Sequence, residues 1–174
     1  MNPPPARISV WAGEQSACIR IVGCANFTSS IDFKALMNEL LQRGCHCFVL
    51  DLGECGLMDS TFLGVLTGFG LKLSGGKGGP APHGIRLLNV SPRIAELLET
   101  LGVLHLFQLT QGPINPPAET QPVERAPADP SKDELNRTSL EAHQTLMDIS
   151  PANVARFKDV AQFLAEGLKK SRTM

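Results

Sequence analysis

Residues 48 to 73 read FVLDLGECGLMDSTFLGVLTGFGLKL. Phe48, Val49, Leu50 and Leu52 make a short apolar run rich in β-formers, which predicts a buried strand. GECG (53 to 56) predicts a turn, and Asp59-Ser60-Thr61 then supplies helix-start chemistry ahead of an apolar run at helical spacing. A hydroxyl pair therefore stands at a strand-loop-helix junction. Asp59 is placed to cap the helix by accepting from its first-turn amides, which leaves Ser60 in the first turn with its hydroxyl reachable from solvent. Farther along, Phe62, Val65, Leu66, Phe69 and Leu73 form the bulky stripe, while Ser60, Gly64 and Gly68 form a smooth strip at four-residue spacing. Each helical glycine costs about 1 kcal/mol relative to alanine. The strip is thus expected to meet another backbone closely, either a partner's or this chain's own sheet, and Gly68→Leu is expected to disturb that contact.

Working outward, Arg7 to Trp11 and Ser16 to Gly23 read as two short strands around the Gly13-Glu14 turn. Thr28, Ser29 and Ser30 are N-cap candidates for a helix whose Ile31, Phe33, Leu36, Met37, Leu40 and Leu41 share one face until Gly44. After the central stretch, Ile85 to Val90 is a strand. Ser91 caps a helix with Pro92 at its first position, and Leu104 to Leu109 is a last strand. The order β-β-α-β-α-β-α-β needs crossovers, so the fold class is α/β with a mixed sheet of four to five strands. Residues 1 to 6 are Pro-rich and expected to be disordered, 7 to 110 form the domain, and 111 to 133 read as a semi-rigid Pro-rich linker. Residues 134 to 174 then form a two-helix extension. Leu135, Ala142, Leu146 and Ile149 mark one face, and after Ser150-Pro151 a second is marked by Val154, Phe157, Ala161, Leu164 and Leu168. Two short helices cannot fold alone, so the hairpin must dock on its own chain, on a second copy to give a homodimer, or on a partner.

The composition excludes several classes. The net charge of −1 with 19% charged residues offers nothing to recruit nucleic acid. The opening MNPPPAR has no charged-then-apolar leader, and no apolar run approaches the length of a bilayer span, so no membrane insertion and a cytoplasmic location are expected. The five cysteines (Cys18, Cys24, Cys45, Cys47, Cys55) match neither a zinc site nor a redox pair and read as small buried apolar groups. Cys45-His46-Cys47 would point to opposite faces of a strand, so no metal is expected. Cys55, in the turn before Ser60, is the one that could be exposed to oxidation. SGGKGGPAPHG (74 to 84) lacks the Ser or Thr of a phosphate loop and follows a helix, so it reads as a connector and no cofactor is expected. A serine hydrolase would need a histidine and an acid near Ser60. The four histidines (His46, His83, His105, His143) are scattered along the chain and GxSxG is absent, so an enzyme is not expected.

The pattern D-L-x-(loop)-M-D-S-T-x-L-G-V-L resembles the central motif of the STAS domain family, in its anti-sigma factor antagonist branch. CIRIVG (Cys18 to Gly23) resembles the family's second strand, and SPRIAELLETLGVLHLF (Ser91 to Phe107) its last helix and strand, so the resemblance covers about residues 6 to 110. It implies a STAS-like sheet and a regulatory binding protein. In such a protein the serine after the aspartate, here Ser60, is phosphorylated by a serine kinase of the histidine-kinase-like ATPase type that doubles as the anti-sigma factor. Thr61 is the second-choice acceptor, and Asn26, Asp59, Ser60, Thr61, Gly64 and Gly68 are the partner-facing set. The chain departs from the family at Phe62, where glycine is usual, and at Asn26, where an acidic residue often stands. The family alternative is a STAS subunit or scaffold beside a transporter ATPase or in a stressosome-type complex.

Overall fold

A computed structural model describes residues 4–74 and 84–173. The Gly-rich connector read over 74 to 84 lies almost wholly outside them, as do residues 1–3. Seven strands form one sheet: β1 (Arg7–Ala12), β2 (Ser16–Ala25), β3 (Cys47–Asp51), β4 (Cys55–Met58), β5 (Gly84–Leu88), β6 (Gln108–Thr110) and β7 (Val123–Glu124). The order is β6-β5-β3-β2-β1-β7, with β4 pairing β2 off this path. β1 runs antiparallel to β2 and β7, and the remaining pairings are parallel, so the sheet is mixed as expected. Five strands fall where the sequence places them. The other two are β4, which starts in the stretch read as turn and runs on to Met58, and β7, inside the linker. The last expected strand is shorter than read: Leu104–Leu106 is a 3-10 turn, and the strand proper starts at Gln108.

Period-two alternation sets which face is covered. Ile8 and Val10 on β1, Ala17, Ile19 and Ile21 on β2, Phe48 and Leu50 on β3, and Ile85 and Leu87 on β5 are buried in one core. The same core takes Phe33, Leu36, Met37 and Leu40 from α1 (Phe27–Gln42) and Phe62, Leu63, Leu66 and Phe69 from α2 (Ser60–Leu73). One residue out of step, Arg20 turns to the opposite face, where it pairs with Asp51 at 3.0 Å and lies 5.3 Å over the Trp11 ring. α3 (Pro92–Thr100) starts at Ser91, whose hydroxyl accepts from Ile94, with Pro92 in the first turn. α1 starts one turn earlier than the serines and threonine proposed for it. Asn26 is the cap, in a reciprocal capping box with Ser29.

The linker is held against the domain. β7 pairs with β1, the Arg125 amide donates to Ile8 and its guanidinium to Glu39 at 2.8 Å, and the Ala128 amide donates to Asp32 at 2.8 Å. It delivers α4 (Lys132–Ile149), capped by Ser131, onto α2 and α1 of the same chain. Ala142 and Leu146 enter the main core, with Ile149 and Phe157 packed against its edge. α5 (Pro151–Arg172) packs along α4. Its inward face carries Phe157, Ala161, Leu164 and Leu168 as read. Val154, however, is exposed, and the fully buried Asn153 takes its place, donating to the carbonyls of Leu101 (2.9 Å) and Leu146 (2.8 Å). Among the described residues no helix is long and apolar enough to cross a membrane.

Candidate functional site

The site is built where β2 ends. Gly23 has φ +103°, a backbone state that side-chain-bearing residues rarely adopt, and the register of β2 shifts there toward β4. That shift brings the β2 end beside the β4 end, where the Asp59 amide donates to the Ala25 carbonyl at 2.9 Å. As a result the N-termini of α1 and α2 converge on one carboxylate. Asp59 Oδ1 accepts from the Phe62 amide (2.8 Å) and Oδ2 from the Phe27 amide (2.6 Å). Two orphan first-turn donors are satisfied at once, with the positive ends of both helices turned toward the negative group. Burial pushes the Asp59 carboxyl above its ordinary range, against the opposing pull of those amides and of nearby His143.

Ser60 and Thr61 lie under α4. The Ser60 hydroxyl is 2.9 Å from His143 Nε2, and Thr61 Oγ1 is 2.9 Å from Ser139 Oγ. The tautomer follows from the other ring nitrogen. His143 Nδ1 is 2.7 Å from the Ser139 carbonyl, which can only accept, so Nδ1 carries the proton and Nε2 is free to accept from Ser60. Burial holds the imidazole below its ordinary pKa, which favours this neutral form, and the ring is backed by Phe157 at a centroid distance of 5.0 Å. Ser60 stays partly exposed, in keeping with a hydroxyl reachable from solvent, but that hydroxyl is not free. It is engaged from above by a helix some eighty residues away in sequence.

The glycine strip divides into two. A Cβ built on Gly64 would lie 2.4 Å from the Ala142 carbonyl oxygen and 2.6 Å from the Ala142 Cβ, so α4 sits directly on this position. A Cβ on Gly68 would meet nothing within 4 Å. Gly68 borders a small cleft of about 190 Å³ among α1, α2 and α4, lined by Lys34, Asn38, Gly64, Phe69 and Ala142 among others. The close approach expected of both glycines is thus made at Gly64 only, and Gly68→Leu loses its rationale as a probe of that contact. Gly68→Ala is instead expected to raise stability by up to about 1 kcal/mol in chemical denaturation, because helix propensity improves with no clash. A loss of stability would show a neighbour at Gly68.

Two further expectations are corrected. Asn26 is buried and its side chain is committed to the α1 cap, accepting from the Ser29 amide at 3.1 Å, so it supports the site from within. Cys55 lies buried on β4, where burial raises its thiol pKa and lowers its reactivity, so the oxidation input read for an exposed turn has no basis there. Among the described residues no group of three or more His, Cys, Asp or Glu side chains could hold a metal ion.

Sequence reasoning missed His143, Ser139 and Ala142 as members of the site. The histidines are scattered in sequence, yet one of them reaches Ser60. The available signal was the Ala142–Leu146 face itself, since His143 and Ser139 lie one and three positions from Ala142 on the same turns.

No family model matches the chain, and no curated protein matches it. Among solved structures, the unphosphorylated anti-sigma factor antagonist SpoIIAA is similar at 16% identity and a TM-score of 0.48, over 56% of this chain and 81% of that one. The phosphorylated form of SpoIIAA, a Bacillus cell fate determinant, is similar at 17% identity and a TM-score of 0.45, over 56% of this chain and 84% of that one.

Proposed function

We propose that this chain is a regulatory binding protein of the anti-sigma factor antagonist kind. Unphosphorylated, it binds a serine kinase of the histidine-kinase-like ATPase type that doubles as an anti-sigma factor, and phosphorylation at Ser60 releases it. The observation that carries this reading is the position of Ser60. It is the first residue of α2, directly after a capping aspartate, with its hydroxyl directed away from the core and toward the α4 surface. A phosphate at such a helix start meets the positive end of the dipole, so the domain itself tolerates the modification. A docked partner does not, because about 1.5–2 added negative charges would stand beside Asp59 in a partly desolvated interface. Release then needs no rearrangement of the sheet.

Ser60 is read as an acceptor of phosphate rather than as a nucleophile. His143 Nδ1 donates to a backbone carbonyl and not to a carboxylate, so the acid that orients a triad imidazole is not the partner here. The test is mass spectrometry of the protein incubated with ATP and the histidine-kinase-like ATPases of its native cells. A single phosphate at Ser60 is expected, and modification only at Thr61, or nowhere, would sink the reading. Correspondingly, Ser60→Asp is expected to weaken kinase binding by about a hundredfold or more, while Ser60→Ala binds and is not released by ATP.

A further inference from the structure

The surface proposed to meet a partner is already occupied by this chain. α4 lays Ser139, Ala142 and His143, one face of two turns, against Thr61, Gly64 and Ser60 in that order. The match is chemical as well as steric: a hydroxyl paired with a hydroxyl, a methyl group against a glycine, and an imidazole acceptor on the serine hydroxyl. This is the geometry of a groove that receives a helix. It also crowds the site. Ser60 is only partly exposed, and an incoming group must compete for its hydroxyl with His143 Nε2 at 2.9 Å and pass a helix whose backbone rests on Gly64 one turn along.

The contact joins core packing, through Ala142 and Leu146, to groups that water or a partner can replace: the hydroxyl and imidazole hydrogen bonds and, at the rim, an exposed ion pair, Lys34 to Glu141 at 2.8 Å. The hairpin hangs from residues 129–131, between Ala128, whose amide donates to Asp32, and the start of α4, and is held at its far end by Asn153, which donates to the Leu101 carbonyl of the domain. So short a tether keeps α4 at an effective concentration on the order of millimolar, and a visitor must outcompete it.

We infer that the α4–α5 hairpin is an autoinhibitory segment: α4 fills in cis a helix-accepting groove over Ser60, Thr61 and Gly64, and a partner reaches Ser60 only by displacing it. The nature of that partner rests on the function proposed above. The cover itself rests on the three contacts alone, so it stands even if Ser60 is never phosphorylated. Phosphorylation and docking are mutually exclusive on this surface, so a phosphate on Ser60 would hold the groove open.

The test needs no kinase. In the full chain carrying Ser60→Cys, alkylation of residue 60 by a small maleimide is followed by peptide mapping, with the buried Cys55 as an internal reference for the integrity of the sheet. Two opening variants are added separately: Ala142→Glu, which drives a larger side chain against Gly64, and Asn153→Ala, which releases the hairpin at its other end. Each is expected to speed labelling of residue 60 by about tenfold or more while Cys55 stays protected, the signature of local opening. Two results would overturn the inference. One is labelling at residue 60 as fast in the parent as in both variants, which means α4 does not gate the site. The other is residue 60 and Cys55 becoming reactive together, which means the hairpin is inseparable from the core. Absence of phosphate on Ser60 in the kinase experiment leaves this result untouched, so the two failures are distinguishable.

Discussion

Phe62→Ala is expected to lower the unfolding free energy by about 3–5 kcal/mol, read as a fall in denaturant midpoint at unchanged slope. Phe62 is fully buried, its ring centroid 4.9 Å from that of Phe33 and tilted by 32°. Phe33 in turn meets Phe69 edge-on at 6.1 Å, so the three rings join α1 to α2 directly behind the site. Removing the Phe62 ring leaves a void whose walls belong to two helices already seated on the sheet, so collapse around it is limited and the loss falls in the upper range for an aromatic deletion. Phe62 stands on the bulky stripe read for this helix, and its side chain, buried in the core, sets how α1 and α2 pack. A loss below about 1 kcal/mol would show that the ring is not part of the core.

What the sequence made legible is what local physics determines. The buried strand at Phe48, the Asp59 cap, the Ser91-Pro92 helix start and the alternation in β2 each follow from a few adjacent residues, and each stands where it was read. The two short strands were not legible for the same reason. β4 spans four residues, of which two are exposed, and β7 spans two, so neither carries a period of its own. Both exist because a longer strand beside them offers an edge to pair with, a tertiary cause. The site divides in the same way. Asp59, Ser60 and Gly64 could be found from spacing along one helix. Of their counterparts, Ala142 was read on the apolar face of its helix, while Ser139 and His143 beside it look like ordinary polar positions on a surface helix. Gly64 and Gly68 both carried the cost that announces a visitor, and only the tertiary packing could identify it as α4 and place it at Gly64.

Gly64→Ala is the substitution that asks whether that visitor is seated. On helix propensity alone, alanine should stabilise α2 by about 1 kcal/mol. Against this, the new methyl would stand 2.4 Å from a carbonyl oxygen and 2.7 Å from a carbonyl carbon of α4, both backbone atoms that cannot rotate away as a side chain can. With α4 docked, the overlap is expected to cost about 1–3 kcal/mol or more. The chain therefore has two responses: to keep the hairpin in place under strain, or to release it and keep the propensity gain. Either way the loss is bounded by the free energy of docking, so Gly64→Ala is expected to destabilise modestly at the level of global unfolding. Hydrogen exchange across 138–149 should nonetheless accelerate strongly, while the amides of β2 and β3 stay protected. Gly68→Ala, one turn along the same helix with open space above it, carries the same propensity term and no clash, and its expected sign is the opposite. The contrast removes propensity from the comparison. If both substitutions stabilise and exchange in α4 is unchanged, α4 does not rest on Gly64 and the cover over Ser60 falls with it; opposite signs place the weight of the hairpin on the helix turn next to Ser60.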